Sequence, residues 1–251
     1  MNQAILQKLL ELEQSENISI LYACESGSRA WGFASPDSDF DVRFIYAKRP
    51  DDYLTIADGP DTISLPVDEV LDISGWDIKK ALKLFLKSNG PLYEWLQSPI
   101  VYQQQTPFFD EMRSLMPRHF ALRSGANHYL SMAYRTLSDD LQGDQVKLKR
   151  YFYALRPALA CLWIIQKKSV PPMEFTHLRS LITDTEVQHH VDELMKLKLA
   201  TDEKTMISPI LQLNQWLEAT LSFCKEQVPL LPSLKQKTNE LDQVFRKHIN
   251  S

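Results

Sequence analysis

The sequence is poor in glycine and cysteine, has no excess of positive charge and contains no long apolar run. Seven glycines against 14 prolines, with 44% hydrophobic residues, exclude collagen-like and disordered chains. The three cysteines, Cys24, Cys161 and Cys224, lie far apart without a CxxC spacing. Neither a disulfide scaffold nor a zinc site is indicated, and we expect reduced thiols in the core.

The charge balance also excludes several classes of protein. Against 32 Asp and Glu there are 28 Lys and Arg, a net charge of −4, so the chain is not a general coat for nucleic acid or anionic membrane. The longest apolar run, residues 158–165, is too short to span a bilayer. Residues 1–16 lack the basic start and the unbroken apolar stretch of a signal peptide. We therefore expect a cytoplasmic protein with no membrane partner.

The residue pattern differs between the first and the second part of the chain. Apolar residues at helical spacing, followed by β-rich runs, predict an α/β part over residues 1–105. Its expected elements are a helix over 5–12, strands over 18–23, 40–46 and 68–73, one or two helical turns after Gly27, and a helix from Gly75. Residues 99–102 offer one more strand. A helical part over residues 106–251 follows, with helices expected at 107–116, 119–141, 145–167, 184–199, 208–226 and 233–249.

The motif that suggests chemistry is Gly27-Ser28, ten intervening residues, and then Asp39-Phe40-Asp41. If the two aspartates begin a strand, the two-residue side-chain period places both carboxylates on one face. Neighbouring carboxylates repel each other unless a cation lies between them, and hard oxygen ligands suit Mg²⁺. The motif therefore predicts a divalent metal site.

The Gly27-Ser28 step suits a phosphate. A strand that turns into a short helix there presents backbone N–H groups, a small hydroxyl and the positive end of a helix dipole. Arg29 lies in the first turn, and Arg43 shares the strand parity of Asp39 and Asp41, so both guanidinium groups are candidates for triphosphate binding.

These residues resemble the nucleotidyltransferase superfamily related to DNA polymerase beta. More narrowly, they are similar to the group of predicted nucleotidyltransferases called YcgL-like or RNA-ligase-associated (RlaP). The resemblance rests on motifs spread over about the first two thirds of the chain: residues 27–32, 38–43, 72–77, 88–89, 94–96, 98–102 and 149–157.

The resemblance implies an α+β fold, a minimal nucleotidyltransferase palm with a short mixed β-sheet flanked by helices, followed by a helical C-terminal part. It implies transfer of a nucleoside monophosphate from an NTP to a hydroxyl, with release of pyrophosphate. Asp39 and Asp41 would hold two Mg²⁺ or Mn²⁺ ions about 3.5–4 Å apart, and Gly27 and Ser28 would hold the β- and γ-phosphates.

The superfamily also uses a third carboxylate on the metal that activates the acceptor. Asp72 is the candidate, because it follows Val70-Leu71 at an expected strand end. Asp68 has the same strand parity and is the alternative. Asp77 is expected to serve the first turn of the following helix instead.

A second set of candidates for nucleotide binding lies further along the chain. Lys149, Tyr153 and Arg156 are spaced to share one face of a helix, where tyrosine can stack on a base and the cations can meet phosphate. A solvated basic face with tyrosine at its edge explains the same spacing.

Three functions fit these residues. The leading hypothesis is a nucleotidyltransferase with an RNA end as acceptor, by family association with RNA repair. The second is nucleotidylation of a protein or small-molecule hydroxyl. The third is a non-catalytic module for nucleotide sensing or RNA binding, against which the intact Asp39 and Asp41 argue.

Overall fold

The computed structural model describes residues 1–57, 59–66, 70–235 and 237–250. Helices alternate with short strands in the first part of the chain and dominate the second. In chain order the elements are α1 (Asn2–Glu16), β1 (Ser19–Glu25), α2 (Gly27–Trp31), β2 (Phe40–Ala47), β3 (Thr62–Ser64), β4 (Leu71–Asp77), α3 (Ile78–Leu86), α4 (Gly90–Trp95), β5 (Val101–Gln104), α5 (Thr106–His119), α6 (Leu122–Asp140), β6 (Val146–Lys147), α7 (Leu148–Lys167), α8 (Phe175–Leu178), α9 (Thr185–Ala200), β7 (Met206–Ile207), α10 (Leu211–Gln227) and α11 (Asn239–Ile249).

The chain groups into two compact units. The sheet unit consists of Met1–Gly27, Asp39–His119 and Lys235–Ser251, and the helical unit consists of Ser28–Ser38 and Phe120–Leu234. Both units are therefore assembled from segments that are distant in sequence. The expected palm domain over residues 1–105 and helical domain over 106–251 stay a prediction.

A five-stranded mixed sheet forms the centre of the sheet unit, in the order β3-β4-β2-β1-β5. β2 and β4 are parallel, and the other neighbouring strands are antiparallel. Apolar residues from α1, from β1 and the residue before it, and from one face of β2 and β4 form a cluster, which comprises Ile5, Leu9, Leu12, Ile18, Ile20, Ala23, Val42, Phe44, Tyr46, Leu71 and Ile73. Because strand side chains alternate, Asp41, Arg43 and Asp72 lie on the opposite face. The α+β fold class, with a mixed sheet and flanking helices, is confirmed.

The strand expected within residues 68–73 is displaced. β4 begins at Leu71 and runs to Asp77, so Asp72 lies near its start and not at its end. Gly75 interrupted the sequence pattern and was expected to start a helix. It lies within the strand, where a Cβ would come within 2.2 Å of the Phe44 ring. The aromatic side chain on β2 therefore requires a residue without a side chain on β4.

The start of α3 agrees with the expectation for Asp77. Its carboxylate accepts a hydrogen bond from the Lys79 backbone N–H at 2.8 Å and caps the helix. Asn89 caps α4 in the same way through the Leu92 N–H at 3.2 Å. Both polar residues therefore mark helix starts.

Helices α6, α7 and α10 pack against one another in the helical unit. α7 is buried along most of its length, and the stacked rings of Phe33 and Phe152, 4.7 Å apart, add an aromatic centre. Strands β6 and β7, each two residues long, were not predicted because so short a run of residues shows no periodicity.

All three cysteines are free and buried, as expected. No helix in the described ranges has the length and apolar composition needed to cross a bilayer.

Candidate active site

The parallel pairing of β2 and β4 places two predicted metal ligands next to each other. In the register, Asp41 lies opposite Asp72, one pair after Phe40 and Leu71. Both side chains are 31% exposed. Two carboxylates on neighbouring strands and on the same face of the sheet therefore meet at the edge where both strands begin.

The Arg43 guanidinium lies between these two acids. Its Nη2 donates to Asp41 Oδ1 at 3.0 Å and to Asp72 Oδ2 at 2.7 Å. Its Nη1 donates to the carbonyl oxygens of Val42 and Asp72 at 3.0 and 2.9 Å. The cation thus compensates the repulsion that adjacent carboxylates create. The parity argument placed Arg43 on the correct face, and its role in triphosphate binding stays a prediction.

Gly27 packs directly on the Asp41 carboxylate. A Cβ at residue 27 would lie 2.0 Å from Asp41 Oδ2, and the backbone has a φ of +59°. Any larger residue would clash with the carboxylate and would be strained in this left-handed conformation. Residue 27 must therefore be a glycine because the Asp41 carboxylate leaves no room for a side chain. This requirement is additional to the phosphate contact predicted for Gly27.

The backbone of Asp41 is held by the end of β1. Its N–H donates to Glu25 Oε1 at 2.9 Å, and its carbonyl oxygen accepts from the Ser26 N–H at 2.8 Å. The Glu25 side chain is fully buried, and its second oxygen accepts from the Tyr102 hydroxyl. The sequence analysis missed Glu25. Its position at the end of an apolar strand, two residues before Gly27, was the available signal.

The remaining acidic candidates are placed differently. Asp39 is exposed and directly precedes β2. Asp68, the alternative third carboxylate, lies outside the described residues. Asp77 lies at the far end of β4, where burial raises the pKa of its carboxyl while bonds from Tyr53 and Lys79 oppose that rise.

The chemistry of these donors fits a hard divalent cation, since carboxylate oxygens are the ligands that Mg²⁺ and Mn²⁺ favour. The Asp41 and Asp72 side chains are 31% exposed, so both carboxylates are partly accessible. Within the described ranges, no three Asp, Glu, His or Cys side chains are close enough together to hold a metal ion. In this structure the positive charge of Arg43 compensates the negative charges of Asp41 and Asp72.

Two further motif residues lie in the helical unit. The Ser28 hydroxyl donates to Ser38 Oγ at 3.1 Å, and Arg29 Nη2 donates to the Ser38 carbonyl oxygen at 2.5 Å. Ser38 Oγ in turn donates to Glu203 Oε1 at 2.5 Å. Ser28 and Arg29, both predicted to bind phosphate, are therefore joined through Ser38 to a carboxylate that lies 165 residues after Ser38 in the sequence.

The face of α7 carries the other nucleotide-binding candidates. Lys149 Nζ lies 3.3 Å from Glu203 Oε2. The Tyr153 ring meets the edge of Trp31, with centroids 6.0 Å apart. Arg156 is 4% exposed, donates to the Met173 carbonyl oxygen and lies 4.5 Å over the Trp31 ring. The solvated-face alternative is wrong for Arg156, which is buried, and nucleotide binding by the three residues stays a prediction.

Comparisons with known proteins agree with the motif. A sequence model of the family described as "RlaP: RNA repair pathway DNA polymerase beta family" matches residues 1–247. The uncharacterized protein YcgL of Bacillus subtilis (strain 168) is 42% identical over 247 residues, covering 98% of this chain and 95% of that protein. A nucleotidyltransferase-like protein from Exiguobacterium sibiricum 255-15 aligns in structure at 12% identity, over 98% of this chain and 80% of that one, with a TM-score of 0.32.

The structural alignment is too weak to carry an argument, but the sequence matches extend over nearly the whole chain. The matched range, residues 1–247, spans the Gly27-Ser28 step, the two aspartates of the motif and the Asp72 strand. The chain therefore belongs to RlaP, the RNA repair pathway DNA polymerase beta family.

Proposed function

We propose that this protein is a divalent-metal-dependent nucleotidyltransferase that moves a nucleoside monophosphate from an NTP to a hydroxyl at an RNA end and releases pyrophosphate. The observation that carries the proposal is the Asp41–Arg43–Asp72 arrangement with Gly27 against the Asp41 carboxylate. Paired carboxylates at the starts of two neighbouring strands, bridged by one cation, are poorly explained by stability alone. Family membership adds the polymerase beta type of chemistry.

Asp41 and Asp72 lie side by side, and on metal binding Asp39 would join them to hold two Mg²⁺ or Mn²⁺ ions, whose chemistry is to activate the attacking hydroxyl and to neutralise the triphosphate. Arg43 holds Asp41 and Asp72 in adjacent positions and balances their charge. Glu25 fixes the backbone of Asp41. Gly27 and Ser28 would bind the β- and γ-phosphates, with Arg29, Lys149, Tyr153 and Arg156 as further nucleotide contacts.

A label-transfer assay tests this proposal. The protein is incubated with each NTP radiolabelled at the α-phosphate, in Mg²⁺ or Mn²⁺, with total RNA, a protein lysate or no acceptor. The expected result is label on RNA that is lost in the Asp39→Ala/Asp41→Ala double variant. The matched control is Asp61→Ala. Asp61 belongs to the same unit, lies outside the motif and is paired with Lys80 at 2.9 Å.

The acceptor decides between the enzyme alternatives. Label on protein or on a small molecule would replace the RNA acceptor by the second hypothesis. NTP binding without label on any acceptor would favour a nucleotide-sensing module. Equal labelling by wild type and the double variant would show that the site is assigned wrongly.

A further inference from the structure

We propose that Glu203, held by the buried Lys198, is the positioning residue for the nucleotide-binding side chains of the helical unit. This inference deepens the proposed function and rests on it. Glu203 and Lys198 belong to no motif of the sequence. The contacts of Glu203 and Lys198 lie within the helical unit, Ser28–Ser38 and Phe120–Leu234.

Lys198 is the buried cation of this network. It lies in the last turn of α9, and only 1% of its side chain is exposed. Its Nζ donates to Glu203 Oε1 at 2.8 Å and to Ser35 Oγ at 2.7 Å. Ser35 Oγ donates back to the Lys198 carbonyl oxygen at 3.2 Å. Since an unpaired buried ammonium is costly, these bonds fix both the ammonium and the segment around Ser35.

Glu203 is bound from several sides. Oε1 accepts from Lys198 and from Ser38 Oγ, Oε2 lies 3.3 Å from Lys149 Nζ, and its backbone N–H donates to the Asp37 carboxylate at 3.1 and 3.2 Å. The side chain is 22% exposed. One carboxylate thus connects α7, α9 and the segment that ends at Ser38.

The direction of the hydrogen bonds follows from Glu203. An ionised carboxylate only accepts, so the Ser38 hydroxyl donates its single proton to it. The Ser38 oxygen is then left to accept from the Ser35 N–H at 2.9 Å and from the Ser28 hydroxyl at 3.1 Å. A phosphate oxygen can take the Ser28 proton after rotation of that hydroxyl, while Ser38 and Glu203 keep the surrounding chain in place.

Three predicted nucleotide contacts converge on the pair Ser38 and Glu203. Ser28 meets the Ser38 hydroxyl, Arg29 meets the Ser38 carbonyl oxygen, and Lys149 meets Glu203. A pair that served stability alone would have no reason to join residues of the Gly-Ser motif to a lysine of α7. The shared anchor instead sets the relative positions of a hydroxyl, a guanidinium and an ammonium, the groups that bind a triphosphate.

The test compares NTP binding in three variants. Glu203→Gln removes the charge, Ser38→Ala removes only the hydroxyl, and Lys198→Met removes the buried cation. Binding is measured by fluorescence titration with TNP-ATP in Mg²⁺, with the four NTPs as competitors, and KM and kcat are measured in the label-transfer assay. We expect Glu203→Gln and Ser38→Ala to weaken NTP binding and raise KM by about tenfold, with a smaller change in kcat.

The matched control is Glu111→Gln. Glu111 is a partly buried carboxylate of the sheet unit that also binds two basic groups, Lys247 at 2.9 Å and His248 at 3.0 Å. The Glu111→Gln substitution should lower the melting temperature to a similar extent as Glu203→Gln and leave NTP affinity unchanged. If Glu203→Gln does not fold, Ser38→Ala carries the test, because it retains the Lys198–Glu203 pair.

The outcomes separate the two proposals. If wild type binds NTP and the Glu203 and Ser38 variants bind it within a factor of about two, the positioning role is wrong while the proposed function stands. If wild type binds no NTP, the proposed function fails and this inference with it. A loss of NTP binding in Glu111→Gln as large as in Glu203→Gln would reduce the effect to general destabilisation.

Discussion

In the sheet unit one guanidinium serves two carboxylates, whereas in the helical unit one carboxylate serves two ammonium groups. Arg43 is paired with Asp41 and Asp72, both of which are 31% exposed. Glu203 is paired with Lys149, which is 26% exposed, and with Lys198, which is 1% exposed. We call Arg43 with Asp41 and Asp72 the Arg43 hub, and Glu203 with Lys149 and Lys198 the Glu203 hub. The central residues of the two hubs have opposite charge, and the hubs differ most in the burial of the partner side chains.

The difference in burial has a physical consequence. Partly exposed ion pairs contribute little to stability. The pairs that Arg43 makes with Asp41 and Asp72 therefore contribute more to the chemistry of the site than to folding. Removing one partner of a buried pair leaves an uncompensated charge and costs several kcal/mol. We therefore expect substitutions at the Arg43 hub to affect catalysis more than folding, and substitutions at the Glu203 hub to affect both.

The largest effect is expected for Asp41→Ala and Asp39→Ala. Label transfer should fall below detection, because each variant removes a carboxylate proposed to hold metal. The melting temperature should change by no more than about 3 °C, since Asp39 is exposed and Asp41 is partly exposed beside a second acid, Asp72. Calorimetry beside the transfer assay checks both statements. Unchanged turnover in both variants would place the active site elsewhere.

A second variant separates backbone strain from steric conflict at the site. Gly27→Ala introduces a Cβ at a φ of +59° and within 2.0 Å of Asp41 Oδ2. We expect a loss of about 1–3 kcal/mol in the free energy of unfolding and a loss of turnover of at least about tenfold, since the carboxylate must move. Denaturant titration and the transfer assay measure the two effects.

Gly32→Ala is the matched control for this variant. Gly32 has a φ of +90°, and a Cβ there would meet nothing within 4 Å. The substitution should therefore cost backbone strain without moving Asp41. If Gly32→Ala lowers turnover as much as Gly27→Ala does, the contact between residue 27 and Asp41 is not the cause.

The third variant removes the shared cation of the sheet unit. Arg43→Met leaves Asp41 and Asp72 adjacent without compensation, and we expect the melting temperature without metal to fall by about 3–6 °C. Added Mg²⁺ or Mn²⁺ should raise the melting temperature of the variant more than that of wild type, because a metal ion then relieves the repulsion. No rise in either protein would mean that no metal binds between these carboxylates.

The sequence predicted the Arg43 hub in part and the Glu203 hub not at all. Strand parity alone placed Asp41 and Arg43 on one face of the sheet. Asp72 was named from a strand that was expected too early, and its role as the third carboxylate stays a prediction. Parallel register, which makes Asp72 the neighbour of Asp41, is not readable from either strand alone. Lys198 and Glu203 follow no local period, and their partners Ser35 and Ser38 lie 163 and 165 residues away.

The smallest expected effect is a pH dependence of stability that arises from Glu203. Burial alone would raise the pKa of the Glu203 carboxyl, but bonds from Lys198, Ser38 and Lys149 outweigh it and hold the pKa below its ordinary value of 4.5. A lowered pKa in the folded state means that Glu203 stabilises the protein above the ordinary value, and that this stabilisation is lost as the pH falls through the lowered pKa. The Asp37 carboxylate, bound to the Glu203 backbone N–H, is the other acid at this position.

Melting temperature measured from pH 7 to pH 3 should therefore fall less steeply at the acid end in Glu203→Gln than in wild type. Glu111 must be separated from it, because bonds from Lys247 and His248 outweigh burial and lower the pKa of that carboxyl as well. In Glu111→Gln the acid loss due to Glu203 persists, and in the double variant both contributions disappear. A profile for Glu203→Gln that is parallel to wild type would show that the Glu203 carboxylate gains no net stabilisation from its cations, and the contrast between the two hubs would then lie in the burial of Lys198 alone.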